Sequence, residues 1–203
     1  MMKKLIHKIL ILFFFACAIN QIKIPPHNLE NWKILNDGMP WIGCQEYNGF
    51  PWCRATEVLP YSISEIEYFI GNFNYYSNIF NRIESSTRVD SNIVYLKVDY
   101  PFFLSDRDYI VQYNSFKEND NIIYQWSAVI HPDYPVYNDI VRLINAAGEW
   151  KLVYITPDST EVSYSWNGEL LGDFPSFSLG RAWKTGGTEI IEELRQAIEN
   201  KEK

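Results

Sequence analysis

Three places in the chain hold ionisable side chains in patterns that could do chemistry. The first is Ser105-Asp106-Arg107-Asp108, which follows Pro101 between two apolar stretches, Ile93 to Tyr100 and Tyr109 to Tyr113. Charges at such a strand corner must be solvated or paired. Asp106, Arg107 and Asp108 are therefore expected to form a structural charge cluster in which Arg107 pairs with a neighbouring carboxylate. The second is Arg142, a single cation inside the apolar run Ile140 to Ile144, where a semi-buried charge needs a partner. That partner is either the polar head of a bound molecule or a carboxylate, Glu149 or Glu161. The third is the dispersed set Asp99, Asp108 and His131, the candidates for a placed acid or base. They form no recognisable constellation, and G-x-S-x-G, phosphate-loop and H-E-x-x-H patterns do not occur.

The elements that hold these groups begin with the clearest local signal, Asn48-Gly49, which predicts a two-residue hairpin turn because both central positions of a type I′ turn need positive φ. Counting outward pairs Tyr47 with Phe50, Glu46 with Pro51, Gln45 with Trp52 and Cys44 with Cys53. Pro51 and both cysteines then fall at non-hydrogen-bonded positions, where Cα atoms lie about 4.5 Å apart, within reach of a disulfide. A Cys44–Cys53 cross-strand disulfide is predicted, with two half-buried thiols as the alternative. His27 and His131 beside these cysteines supply no standard zinc ligand set, and no cofactor is expected.

At the N-terminus, Lys3, Lys4 and Lys8 precede the apolar run Ile9 to Phe15 and the small residues Ala16-Cys17-Ala18. This reads as an export signal over residues 1–18, too short to span a bilayer, which takes about 20 apolar residues. Export to an oxidising compartment, a bacterial periplasm, agrees with the disulfide. Lipidation at Cys17, behind Phe14-Phe15-Ala16, and an uncleaved anchor are the alternatives. Residues 19–27, with Pro25-Pro26, read as a linker and residues 28–203 as one domain. The 203-residue chain carries 18 basic and 25 acidic residues, and removal of three lysines makes the remainder more acidic still. That balance disfavours nucleic acid or an anionic lipid surface as an electrostatic partner. Aromatic residues make up 16% of the chain, enough to line a cavity or to fill a core.

Asn28 to Leu35 is expected as a short capped helix with Leu29, Trp32 and Leu35 on one face. Ser62-Ile-Ser-Glu65 is a capping box opening a helix with Ile63, Ile66, Phe69, Ile70 and Phe73 inward, followed by a second short helix or an irregular turn over Asn74 to Phe80. From Arg88 the period changes to two: Ile93 to Tyr100, Tyr109 to Asn114, Ile122 to Ile130, Ile140 to Ile144, Glu149 to Ile155 and Thr160 to Trp166 predict an antiparallel meander. In the last strand Val162, Tyr164 and Trp166 face a dry side and Glu161, Ser163 and Ser165 a wet one. A final helix is expected from Pro175 to about Asn200, with Gly186-Gly187 marking a kink, a hinge or a thin spot, or else dividing it into two helices.

Several of these residues, in this order, resemble the START family of lipid-binding domains over about residues 30 to 200. They are Trp32 with Asp37-Gly38, Tyr100-Pro101 with Arg107-Asp108-Tyr109, Arg142 with Gly148 and Trp150, Thr160, Val162 and Tyr164, and Gly172 with Pro175. The resemblance implies an α+β helix-grip fold: a curved antiparallel β-sheet wrapped around a long C-terminal α-helix, with an internal cavity. It also implies non-covalent binding, and transfer, of one hydrophobic molecule such as a sterol, phospholipid or other lipid, by a non-catalytic monomer in transient contact with a membrane. In that arrangement Arg142 is the candidate polar contact, and Tyr164, Trp166, Phe177 and Trp183 the candidate apolar lining. The alternatives are a polyketide cyclase or aromatase using the same cavity, and an envelope interaction protein that binds no ligand.

Overall fold

The computed structural model describes residues 22–100 and 104–201. The expected export signal with Cys17, and Pro101 of the charged corner, lie outside the described residues. Strands β1 (Lys33–Asn36), β2 (Trp41–Tyr47) and β3 (Phe50–Leu59) come first, then helix α1 (Ile63–Ile70) and a 3-10 turn, Phe73–Asn78. Next come β4 (Ile83–Asp90), β5 (Ile93–Val98), β6 (Arg107–Glu118), β7 (Asn121–Ala128), the two-residue β8 (Val141–Arg142), β9 (Ala147–Thr156) and β10 (Ser159–Asn167). A second 3-10 turn, Ser176–Ser178, leads into helix α2 (Leu179–Lys201). One curved sheet runs in the order β1-β2-β3-β10-β9-β7-β6-β5-β4, antiparallel along this path, while β8 pairs with β6 in parallel. The pairing of β3 with β10 brings the first hairpin against the end of the meander.

The local signals act as their chemistry requires. Asn48 and Gly49 have φ of 52° and 80°, the β2–β3 register is Tyr47↔Phe50 through Cys44↔Cys53, and Cys44 and Cys53 form a disulfide with Cα atoms 4.1 Å apart. Ser62 and Glu65 make both bonds of the capping box, which satisfies donors that the first turn of α1 would otherwise leave open.

Two readings differ from expectation, the helix over Asn28 to Leu35 and the start of the period of two, whereas the final helix is single as expected. Asn28 to Leu35 is not a helix: Asn31 takes φ 64° and Lys33–Asn36 pairs with β2. Eight residues make a marginal helix in water, and an available strand edge offers the same backbone groups stable partners. The period of two begins at Ile83, since Ile83–Asp90 pairs with β5. Helix α2 passes through Gly186-Gly187 without interruption, so it is one helix rather than two.

One face of the sheet carries Ile42, Ala55, Trp150, Leu152 and Val162, none of them exposed, and packs with α1 and α2 around a single core. The opposite face is not wet throughout, which corrects the expectation for Ser163 and Ser165. Arg54, Glu149 and Ser165 there are at most 6% exposed, because residues 25–27, at the end of the expected linker, bond to them. Arg54 donates to Ser165 Oγ at 2.9 Å and to the carbonyls of Pro25, Pro26 and His27 at 3.2, 3.3 and 3.1 Å. His27 Nε2 lies 2.5 Å from Glu149 Oε1, and Gln125 donates to Glu149 Oε2 at 2.6 Å. Buried charges persist only with such partners.

Candidate functional site

Between α2 and the sheet lies a hollow of about 20 Å³, room for about one water molecule. The 3-10 turn contributes Phe73 and Tyr76, and α2 contributes Ile190. The strands contribute the rest: Ile83 and Leu96 on one side, Tyr109 and Val111 from β6, and Trp126, Trp150 and Tyr164 from β7, β9 and β10. No Lys, Arg, Asp, Glu or His is among these ten side chains.

The rings fill the space by stacking. Tyr164 stacks on Trp126 and Trp166 at centroid distances of 5.6 and 5.2 Å and meets Trp150 at 4.4 Å, while Phe73 stacks on Tyr76 and Tyr113 at 4.9 and 4.3 Å. Two glycines make this density possible. A Cβ on Gly148 would fall 2.3 Å from Trp126 Cζ2, and one on Gly187 2.9 Å from Trp166 Cη2. Gly187 is therefore the thin spot of α2, and it faces a protein ring.

Polar groups inside are few and neutral. Tyr76 Oη donates to the Ile70 carbonyl at 2.7 Å. Trp150 Nε1 is completely buried, close to the Tyr76 hydroxyl yet outside hydrogen-bonding geometry. Burial pushes the Tyr76, Tyr109 and Tyr164 hydroxyls up from the ordinary tyrosine range, so they stay protonated donors at any physiological pH.

The charged corner lies at one end of this hollow and is organised differently from the expectation. Arg107 does not pair with a neighbouring carboxylate. It is 1% exposed, donates to the carbonyls of Ser105, Leu170 and Leu171, and stands 4.5 Å from the Tyr100 ring and 5.8 Å from that of Phe174. Leu171 has φ 49°, a conformation that is costly for a side chain of this kind, and Arg107 holds its carbonyl. Asp106 pairs with Lys97 at 3.2 Å and Asp108 with Arg142. The corner thus ties the segment leading into α2 onto β6. Arg82–Glu189, at 2.5 and 2.9 Å, and Asn81–Glu193 tie α2 itself to the start of β4.

Of the residues read from sequence as ligand contacts, Tyr164 lines the hollow. Arg142 is not among the lining residues, and its partner is neither Glu149 nor Glu161. Its guanidinium bonds Asp108 at 2.6 and 2.8 Å and the Tyr134 and Pro135 carbonyls. Trp166 stands one ring behind Tyr164, against Gly187. Trp183 donates to the Gly168 carbonyl at 2.8 Å, holding the end of β10 to α2. Phe177 is 90% exposed: α2 begins at Leu179, four residues later than Pro175, so Phe177 falls in the preceding turn. None of Asp99, Asp108 and His131 lines the hollow.

Phe73, Tyr76, Tyr109, Trp126 and Trp150 line the hollow too, a role the sequence alone does not assign to them. Alternation along β6, with Tyr109, Val111 and Tyr113 on one face, carried the signal for Tyr109; the others needed the strand register. Among the described residues no group of three or more His, Cys, Asp or Glu could hold a metal ion, and no helix is long and apolar enough to cross a membrane.

No protein-family model and no curated protein matches the chain. Solved structures do match. A STAR-related lipid transfer protein fragment from Xanthomonas axonopodis superposes with a TM-score of 0.70 at 20% identity, covering 84% of this chain and 99% of that one. Human STARD10 gives a TM-score of 0.74 at 14% identity, over 89% of this chain and 82% of the other. The Zhui aromatase/cyclase from Streptomyces sp. R1128 gives 0.52 at 12% identity, over 75% and 95%. The fold is the START helix-grip fold.

Proposed function

We propose that this START-fold chain binds one hydrophobic molecule between α2 and the sheet, with the uncharged part of the guest inside, and carries it between membranes. The observation that supports this reading is the lining: ten apolar or aromatic side chains without a formal charge, under a helix tied down near its middle by the Arg82–Glu189 ion pair and preceded by a segment that Arg107 holds. Burying a guest's apolar surface there contributes roughly 25 cal/mol per Å² before ordering costs. A formal charge placed in the same space would find no counter-ion.

A hollow of about 20 Å³ admits such a guest only when rings move apart. Release of the segment that Arg107 holds, together with the N-terminal end of α2, provides that movement. At this end of the sheet β7 finishes, β9 begins and β10 finishes. Nearby stand Ile130, Val136, Ile144 and Phe177, each at least 65% exposed, and this is where transient membrane contact would occur. The protein acts as an exported monomer, in a periplasm or anchored through Cys17, and the Cys44–Cys53 disulfide favours an oxidising compartment.

The test is lipid transfer between vesicles. Wild-type protein is expected to move a neutral fluorescent lipid, and Ile190→Trp, which fills the hollow, to abolish transfer while keeping the circular dichroism of the fold. Equal transfer by Ile190→Trp would overturn the proposal. A cyclase would act in the same space, where tyrosine hydroxyls and Trp150 Nε1 are the donors. Turnover of a polyketone that is lost in Tyr164→Phe would favour that reading.

A further inference from the structure

We propose a second binding site, independent of the first, on the face of the sheet turned away from α2, with the chemistry to hold a saccharide. A groove of about 430 Å³ lies there between residues 27–32 and strands β2, β3, β9 and β10. This is within the range of small-molecule sites, about 300–1,000 Å³, and far larger than the hollow under α2.

The wall of the groove is an indole held in place. Trp41 lies over Gly43, where a Cβ would come within 2.5 Å of Trp41 Cη2 and 2.9 Å of Trp32 Cβ; any side chain at 43 would push the ring off the sheet. Trp32 meets Trp41 edge-on at 6.3 Å and is itself fixed by a 2.7 Å bond from its Nε1 to the Leu29 carbonyl and by Arg54 4.9 Å from its ring. Trp41 stays half-buried, and its Nε1 makes no hydrogen bond to another described residue.

The floor is polar and in register. Ser163 lies between Thr56 and Lys151, and Glu161 between Val58 and Val153. Thr56 Oγ1 and Ser163 Oγ share a 3.2 Å bond. Lys151 and Glu161 are half-buried on adjacent strands, yet neither forms an ion pair or a side-chain hydrogen bond with a described residue. An ammonium donor, a carboxylate acceptor and two hydroxyls thus stand together beside a flat aromatic surface.

A pyranose matches this set. Its C–H face suits the indole, and its hydroxyls, each donor and acceptor, can bond Glu161 and Lys151 at once. Lys151 and Glu161 offset each other, and Arg54, the other guanidinium or ammonium group of the lining, already donates to Ser165 and to the carbonyls of residues 25–27, so a neutral polyol fits better than an ion. An alkyl chain would cover Lys151 and Glu161 without replacing their bonds to water, and a phosphate would meet the Glu161 carboxylate.

The test titrates the full chain with maltose, cellobiose and N,N′-diacetylchitobiose, and with an immobilised glycan array, following tryptophan emission and heat. At least one saccharide is expected to bind, and Glu161→Gln and Lys151→Met are each expected to weaken it about tenfold or more. Trp41→Ala should abolish binding. Because that change also removes packing, the near-isosteric Glu161→Gln is the deciding variant. Ile190→Trp, which fills the other hollow, should leave saccharide binding unchanged. Absence of binding across the array, binding indifferent to both floor variants, or binding lost in Ile190→Trp would overturn the proposal.

Discussion

Gly148 lies under the Trp126 indole, and the backbone oxygen of Ser165 closes the other side at 2.5 Å from where a Cβ would stand. Neither neighbour can yield cheaply, since one is a stacked ring and the other main chain in a central strand. Gly148→Ala is expected to destabilise the protein by about 3 kcal/mol through overpacking, seen as a lower urea midpoint at unchanged slope. A midpoint equal to wild type would mean that Trp126 is free to move. The buried tyrosines make a second statement at this scale. Tyr76, Tyr109 and Tyr164 are raised by desolvation, and Tyr124 is raised to about 12, by burial first and then by Glu67. The folded state therefore keeps protons that the unfolded chain releases near pH 10, so the stability these groups contribute is complete below that pH and falls as pH rises above it. A share of the tyrosinate absorbance should appear only together with loss of near-ultraviolet circular dichroism. Titration of all 14 tyrosines near pH 10 in folded protein would contradict this.

Helix α2 offers a comparison within one element, because its two adjacent glycines have opposite surroundings. A Cβ on Gly186 would meet nothing within 4 Å, whereas one on Gly187 would press on Trp166 and Ile42. Gly186→Ala should stabilise by up to about 1 kcal/mol through helix propensity, and Gly187→Ala should destabilise, both read from thermal melts. Equal effects would show that α2 does not sit on Trp166 as described. What was legible in the sequence was local. The Asn48-Gly49 turn, its register and disulfide, and the Ser62–Glu65 capping box are each fixed by a few consecutive residues. β4 was not legible, since Ile83–Asp90 contains only two apolar residues, Ile83 and Val89, as an edge strand with a solvated face does. Lys33–Asn36 was not legible as a strand because spacing alone does not separate about one turn of helix from a short strand whose partner is β2, further along the chain. The charged corner was visible as a cluster, but which cation met which anion depended on β5, β8 and the segment before α2 arriving there together.

At the scale of the whole molecule, the sheet carries two different faces. The face toward α2 centres on an aromatic stack around a hollow lined without charge, and the other is a polar floor partly roofed by residues 25–27. The overall arrangement was readable from the order of elements, since a long meander followed by an amphipathic helix leaves few ways to bury both apolar faces. The near-complete filling of the interior was not, because ring stacking depends on register across β6, β7, β9 and β10. Binding therefore requires the stack to open for a guest and close without one. Native mass spectrometry of the protein after exposure to mixed neutral-lipid vesicles, followed by removal of the vesicles, tests this most directly. One hydrophobic molecule per chain, accompanied by a change in tryptophan emission and missing from Ile190→Trp, is the predicted result; a chain that stays at its bare mass with unchanged emission would contradict it.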